Sequence, residues 1–127
     1  MHRIPTTTDV SQSKRLIAAG LPTATSDSVT AVSPAWSLSR LISLMPNDIS
    51  YLADESIDTT DEEAVMSDPG IQYDLRMNNN SVRYTTFDGE EEKFCAYGAT
   101  LIDAVVDAVI WLLDEGWIEK EVNLRGE

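Results

Sequence analysis

Cysteine and histidine are almost missing from this chain: Cys95 and His2 are the sole representatives of each. No disulfide can close within one chain, and a zinc site of the usual Cys and His composition cannot be assembled. The cysteine usage implies a reducing, cytoplasmic setting. A Ser-His-Asp triad is equally out of reach, because His2 adjoins a terminus, where order is usually poor. Glycine loops of the Gly-x-Gly-x-x-Gly or Walker type, which would cradle a phosphate, do not occur. Long apolar runs are scarce as well. The most apolar stretch, residues 101–118, is uninterrupted only over residues 108–113. That is far below the ~20 residues that span a bilayer. The first 20 residues carry no signal-peptide core either.

Positive charge is the largest shortage. Nine Lys and Arg face 22 Asp and Glu in 127 residues, a formal charge of −13. This balance argues against direct nucleic-acid binding through dispersed cationic charge and against adhesion to anionic lipid. The imbalance is uneven along the chain. Residues 1–47 hold four basic and two acidic residues, +2, whereas residues 48–127 hold five and twenty, −15. Acid is densest over residues 54–63 and again at Asp88, Glu90, Glu91 and Glu92. Closely spaced carboxylates repel one another and resist burial, so both runs read as solvated loops.

Periodicity predicts a single α+β domain over residues 1–127. A first helix begins at Thr8 or Asp9, carries Val10, Leu16 and Ile17, and stops at Gly20, with Leu21 folding back and Pro22 unable to continue. Ser37 caps a second helix whose Leu38, Leu41, Ile42 and Met45 share one face, and Pro46 marks its exit. Residues 47–69 read as a mainly acidic connection, with its loop over residues 53–69, anchored at its start by Ile49, Tyr51 and Leu52 and with room for a short strand or turn. Alternation of Ile71, Tyr73, Leu75 and Met77 with polar residues marks a strand. A tight turn at Asn78, Asn79 and Asn80 leads to a second strand over residues 82–87, and a two-residue Asp88-Gly89 turn leads to a third over residues 91–96. Thr100 and Asp103 form the capping box of a C-terminal helix closed by Gly116, and residues 119–127 read as a polar tail. The expected architecture is a three-stranded antiparallel meander packed against that helix, with two N-terminal helices completing the core.

Candidate chemistry is sparse. Cys95, between Phe94 and Ala96, reads as a small core residue rather than a nucleophile. Asp103 with Asp107, and Asp58 with Asp61 or Glu62, could bind a divalent cation or share a proton. The helix pair falls on a polar stripe, however, and the loop lacks EF-hand spacing, so no catalytic, cofactor or metal residue is assigned. Trp36 has the position of a hydrophobic staple and Trp117 that of a contact beyond a C′ glycine. Trp111 stands off the centre of its helix's apolar face, which a partner surface, such as a second copy of the chain, would explain.

Ser13-Lys14-Arg15-Leu16-Ile17, Gly20-Leu21-Pro22, Pro34-Ala35-Trp36-Ser37-Leu38-Ser39, residues 41–46, Tyr73-Asp74-Leu75-Arg76, Ile102-Asp103-Ala104 and Trp111-Leu112-Leu113 run through most of the chain. In these motifs the chain resembles short uncharacterised proteins encoded by phages and mobile elements of gut bacteria. The resemblance implies a product of the bacterial cytoplasm, carries no catalytic residue across, and does not extend to residues 54–68. Two functions follow as expectations. One is a non-enzymatic protein that binds a protein partner, such as a basic one, through Asp54, Glu55, Asp58, Asp61, Glu62 and Glu63 or through Trp111; in its sharpest form the acid imitates DNA. The other is a divalent-cation module or metal-dependent hydrolase built on surface carboxylates.

Overall fold

The computed structural model describes residues 6–30, 32–54 and 56–121. Helix α1, Val10–Ala19, starts at Asp9, whose carboxylate accepts from the Gln12 N–H while the Gln12 side chain accepts from the Asp9 N–H. This reciprocal pair satisfies two orphan donors of the first turn. Gly20 ends the helix in the left-handed region, φ 104°, and Leu21 N–H returns to Leu16 O at 3.0 Å. A 3₁₀ turn at Thr23–Thr25 and two minimal paired strands, β1 Ser28–Val29 and β2 Pro34–Ala35, fill the segment between α1 and Ser37. Helix α2, Leu38–Leu44, is capped by the Ser37 hydroxyl, which accepts from Arg40 N–H at 3.1 Å.

The expected three-stranded meander is four-stranded. Strands β3 Asp48–Tyr51, β4 Ile71–Met77, β5 Ser81–Thr85 and β6 Glu92–Tyr97 pair antiparallel in chain order. The added strand is β3, in the stretch that left room for a short strand or turn. It has four residues, and it is a strand because β4 offers it an edge: Ile49 lies opposite Tyr73 and Tyr51 opposite Ile71. The acidic connection also contains helix α3, Glu62–Ser67, capped by Asp61 and carrying Glu62 and Glu63 where the positive end of the helix dipole favours them.

Two turns differ from expectation. No asparagine of residues 78–80 takes a positive φ; instead the Asn78 carboxamide accepts from Asn80 N–H and the Ser81 hydroxyl, and closes the turn itself. The Asp88-Gly89 hairpin is longer than two residues, because Thr86 and Glu91 close it with Thr86 N–H to Glu91 O at 2.9 Å, which leaves Phe87 outside the strand.

Helix α4, Leu101–Asp114, packs on β5 and β6 with one side and on α1 and α2 with another. Being covered twice explains its wide apolar arc: Ile102, Val105, Val106, Val109, Leu112 and Leu113 are all buried. Asp103 reaches back to the Thr100 N–H at 3.3 Å, as the capping pattern predicts. Its other oxygen accepts from Gln12 Nε2 at 2.6 Å, and Asp107 accepts from Arg15 Nη2 at 2.7 Å. The two carboxylates weighed as a cation pair are thus the polar seam that docks α1 onto α4. The start of the tail is also held. Glu121 N–H donates to Gly20 O at 2.7 Å and the Lys120 stem lies against Gly20, while residues 122–127 fall outside the described ones.

Candidate functional site

In an antiparallel meander, alternate connections lie at the same end of the sheet. The β3–β4 connection, residues 52–70, and the β5–β6 hairpin, residues 86–91, therefore share one end. Helix α4 points its C-terminus the same way, since Glu115 Oε1 accepts from the Tyr51 hydroxyl at 2.8 Å at the close of β3. Three acid-rich segments thus lie at one end of the sheet. Asp114 and Glu115 also occupy the negative end of a helix dipole with no basic residue in the last turn, an unfavourable placement that the 3.7 Å approach of Lys120 to Asp114 only partly offsets. Local rules broken together in one region are a feature of functional surfaces.

Many of the carboxylates hold their own loops in shape. Asp54 accepts from the Ser56 hydroxyl and N–H at 2.6 and 3.0 Å, and Asp58 from the Thr60 hydroxyl and N–H at 2.7 and 2.9 Å. Asp68 receives Ala53 N–H at 2.7 Å, Gly70 N–H at 2.7 Å and Asp54 N–H at 3.0 Å, and so ties the two ends of the β3–β4 connection together. On the hairpin, Asp88 accepts from the Thr86 hydroxyl at 2.6 Å and Glu90 N–H at 3.0 Å. Such bonds to the charged form lower the carboxyl pKa below its ordinary 3.8: the Ser56 side chain does so for Asp54, the Thr60 side chain for Asp58, the Ala53 amide for Asp68, and the Thr86 side chain for Asp88. At neutral pH Asp54, Asp58, Asp68 and Asp88 therefore hold their turns closed in the ionised form.

An acid titration checks this. For a depressed folded pKa, the stabilisation is complete above 3.8 and is lost as pH falls through the lowered values. Carboxyl resonances of Asp54, Asp58, Asp68 and Asp88 followed by NMR are expected to show midpoints below 3.8, with the amides of Ser56, Thr60, Gly70 and Glu90 losing their hydrogen-bonded shifts in that window. Midpoints at or above 3.8 would contradict the turn geometry.

Of the candidate partner residues, Asp54, Asp58, Asp61, Glu62 and Glu63 are exposed on the β3–β4 connection, and Glu55 lies outside the described residues. Trp111 stands apart from them. It is half-buried on α4 and stacks on Phe94 of β6, ring centres 4.6 Å apart and planes at 25°, with Tyr84 at 6.1 Å. Phe94 and Tyr84 of the sheet thus cover part of the indole, and the rest stays accessible. Trp36 is wholly buried in the core. Trp117 donates through Nε1 to the Tyr51 hydroxyl at 3.0 Å, and Lys93 Nζ sits 4.0 Å from the centre of the Tyr51 ring. Cys95 departs from its expected core position. It pairs with Arg83 on the sheet face opposite Tyr84 and Phe94, and it is half-exposed. The alternation that turns Phe94 and Ala96 inward leaves Cys95 no other face.

Sequence reasoning gave no role to Asp68 or to the exposure of Phe87. An Asp-Pro-Gly sequence at residues 68–70 was the available signal for the first, since a short carboxylate before a turn readily accepts amides two residues on. The second depended on where β5 stops. Among the described residues no three Asp, Glu, His or Cys side chains converge as a metal site requires, and no helix is long and apolar enough to cross a membrane. Comparison with known protein families, with curated proteins and with solved structures finds no match for the chain.

Proposed function

We propose that this chain is a non-enzymatic interaction protein that uses the acid-rich end of its sheet to bind a basic protein surface. The observation that carries this reading is the placement of the β3–β4 connection, the β5–β6 hairpin and the C-terminus of α4 at one end of the sheet, with Asp54, Asp58, Asp68 and Asp88 held by their own turns. Fixed charges lose little entropy on pairing and attract an oppositely charged surface over about a Debye length. Proteins that bind nucleic acid display such surfaces, because they match the phosphate backbone with Lys and Arg. The resemblance to phage-borne proteins supplies the setting, a bacterial cytoplasm rich in those targets.

Affinity capture from a bacterial lysate at low salt tests the proposal. Wild-type protein is expected to retain basic proteins that elute as sodium chloride rises. A variant with Asp54→Asn, Asp58→Asn, Asp61→Asn, Glu62→Gln and Glu63→Gln should lose most of that retention, since the three asparagines keep the acceptor oxygens of Asp54, Asp58 and Asp61 and all five changes remove a charge. Equal retention by the variant, or capture indifferent to salt, would overturn the reading.

A further inference from the structure

We propose that Phe87, at the tip of the β5–β6 hairpin, is the apolar anchor of this acid-rich end and that it fits a basic segment with apolar side chains set between its lysines or arginines. The inference rests on the reading of the acidic end as a binding surface. Phe87 is 88% exposed. A lone exposed aliphatic residue such as Val29, 80% exposed, is ordinary at a surface. Phe87 differs in two respects. First, its tip is ordered beforehand: Gly89 N–H donates to Thr86 O at 2.8 Å, Glu91 N–H to the Thr86 hydroxyl at 3.1 Å, and Arg76 Nη2 to Phe87 O at 3.3 Å. These join the bonds to Asp88, so the ring is displayed from a loop that has already lost most of its conformational freedom. An aromatic group so presented gains contact area at low entropic cost. Second, Asp88, Glu90, Glu91 and Glu92 are all exposed within five residues of it. An uncharged apolar ligand would have to desolvate those carboxylates without compensation, whereas a cationic one pairs with them while it covers the ring.

Calorimetric titration of the intact chain with two synthetic helical peptides of equal length and charge, one built of Lys and Leu and the other of Lys and Ala, tests the inference. Wild-type protein is expected to bind the Lys/Leu peptide more tightly. Phe87→Ala should weaken that peptide by about tenfold or more and leave the Lys/Ala peptide within about twofold, the pattern of a central anchor. Val29→Ala should change neither. Because the Phe87 ring is exposed, its removal leaves the fold intact, which circular dichroism checks. Equal affinity for the two peptides, or a Phe87→Ala variant indistinguishable from wild type, would overturn the anchor while leaving the acidic surface standing. Absence of salt-sensitive binding to either peptide would instead remove the acidic-surface reading on which the anchor rests.

Discussion

Replacing Trp36 by alanine is expected to destabilise the fold by about 3–5 kcal/mol, the usual cost of emptying a large buried aromatic site. Trp36 is completely buried and is tied to Thr8 and Thr25. Its indole N–H donates to Thr25 Oγ1 at 3.0 Å, its backbone N–H to Thr8 Oγ1 at 3.0 Å, and its carbonyl accepts from Thr8 N–H at 2.9 Å. Thr8 in turn pairs with the buried Ser13 hydroxyl of α1 at 2.8 Å. The alanine variant keeps the backbone bonds and loses the ring and its bond to Thr25, so its cost reports packing together with that one hydrogen bond. Against a total stability of about 5–15 kcal/mol for a domain this size, the loss is severe. Urea unfolding followed by circular dichroism measures it. Trp36→Phe, which keeps most of the apolar volume and loses the indole donor, should cost less than half as much. A Trp36→Ala variant within about 1 kcal/mol of wild type would be incompatible with this core.

Gly98→Ala is expected to cost about 2–3 kcal/mol, the upper part of the overpacking range. The reason is steric and not dihedral. A β-carbon on Gly98 would stand 2.5 Å from the Asp103 Cβ, 2.8 Å from the Thr100 carbonyl oxygen and 2.9 Å from the Ala104 amide nitrogen. Two of these atoms are backbone of the first turn of α4, and the third belongs to the side chain that caps that turn and accepts from Gln12. Gly98 cannot retreat, because its N–H is bonded to Asn80 O at 2.9 Å. The extra methyl group must therefore push α4 away from β6 or strain the cap. Thermal unfolding of Gly98→Ala should show a lowered midpoint of several degrees, and Gly98→Ser a similar one. A wild-type midpoint would show that helix and strand do not approach so closely.

Most local structure was legible in the sequence for reasons that act within a few residues. Asp9, Ser37 and Thr100-x-x-Asp103 announce helix starts because short polar side chains reach orphan amides two or three residues on. Gly20 announces a stop through its left-handed φ, and the alternation over residues 71–77 gives β4 to the residue. What local pattern does not carry is long-range. Strand β3 forms only because β4 presents an edge for its four residues, Cys95 faces outward because the register of β5 and β6 turns Phe94 inward, and Trp111 stacks on Phe94, seventeen residues earlier in the chain. Asp103 and Asp107 look like solvated acids until α1 arrives with Gln12 and Arg15.

The candidate site divides along the same line. Sequence alone determined that the chain is acidic, that its acid is concentrated in residues 48–127, and that disulfide, triad, zinc and phosphate-loop chemistries lack their residues, because composition and spacing suffice for each. Only the tertiary structure decided that two acid runs with twenty-four residues between them share one end of a sheet with the C-terminus of α4, and that Phe87 stands exposed beside one of them. Antiparallel pairing sets which connections meet, and pairing is a property of strands brought together from different parts of the chain.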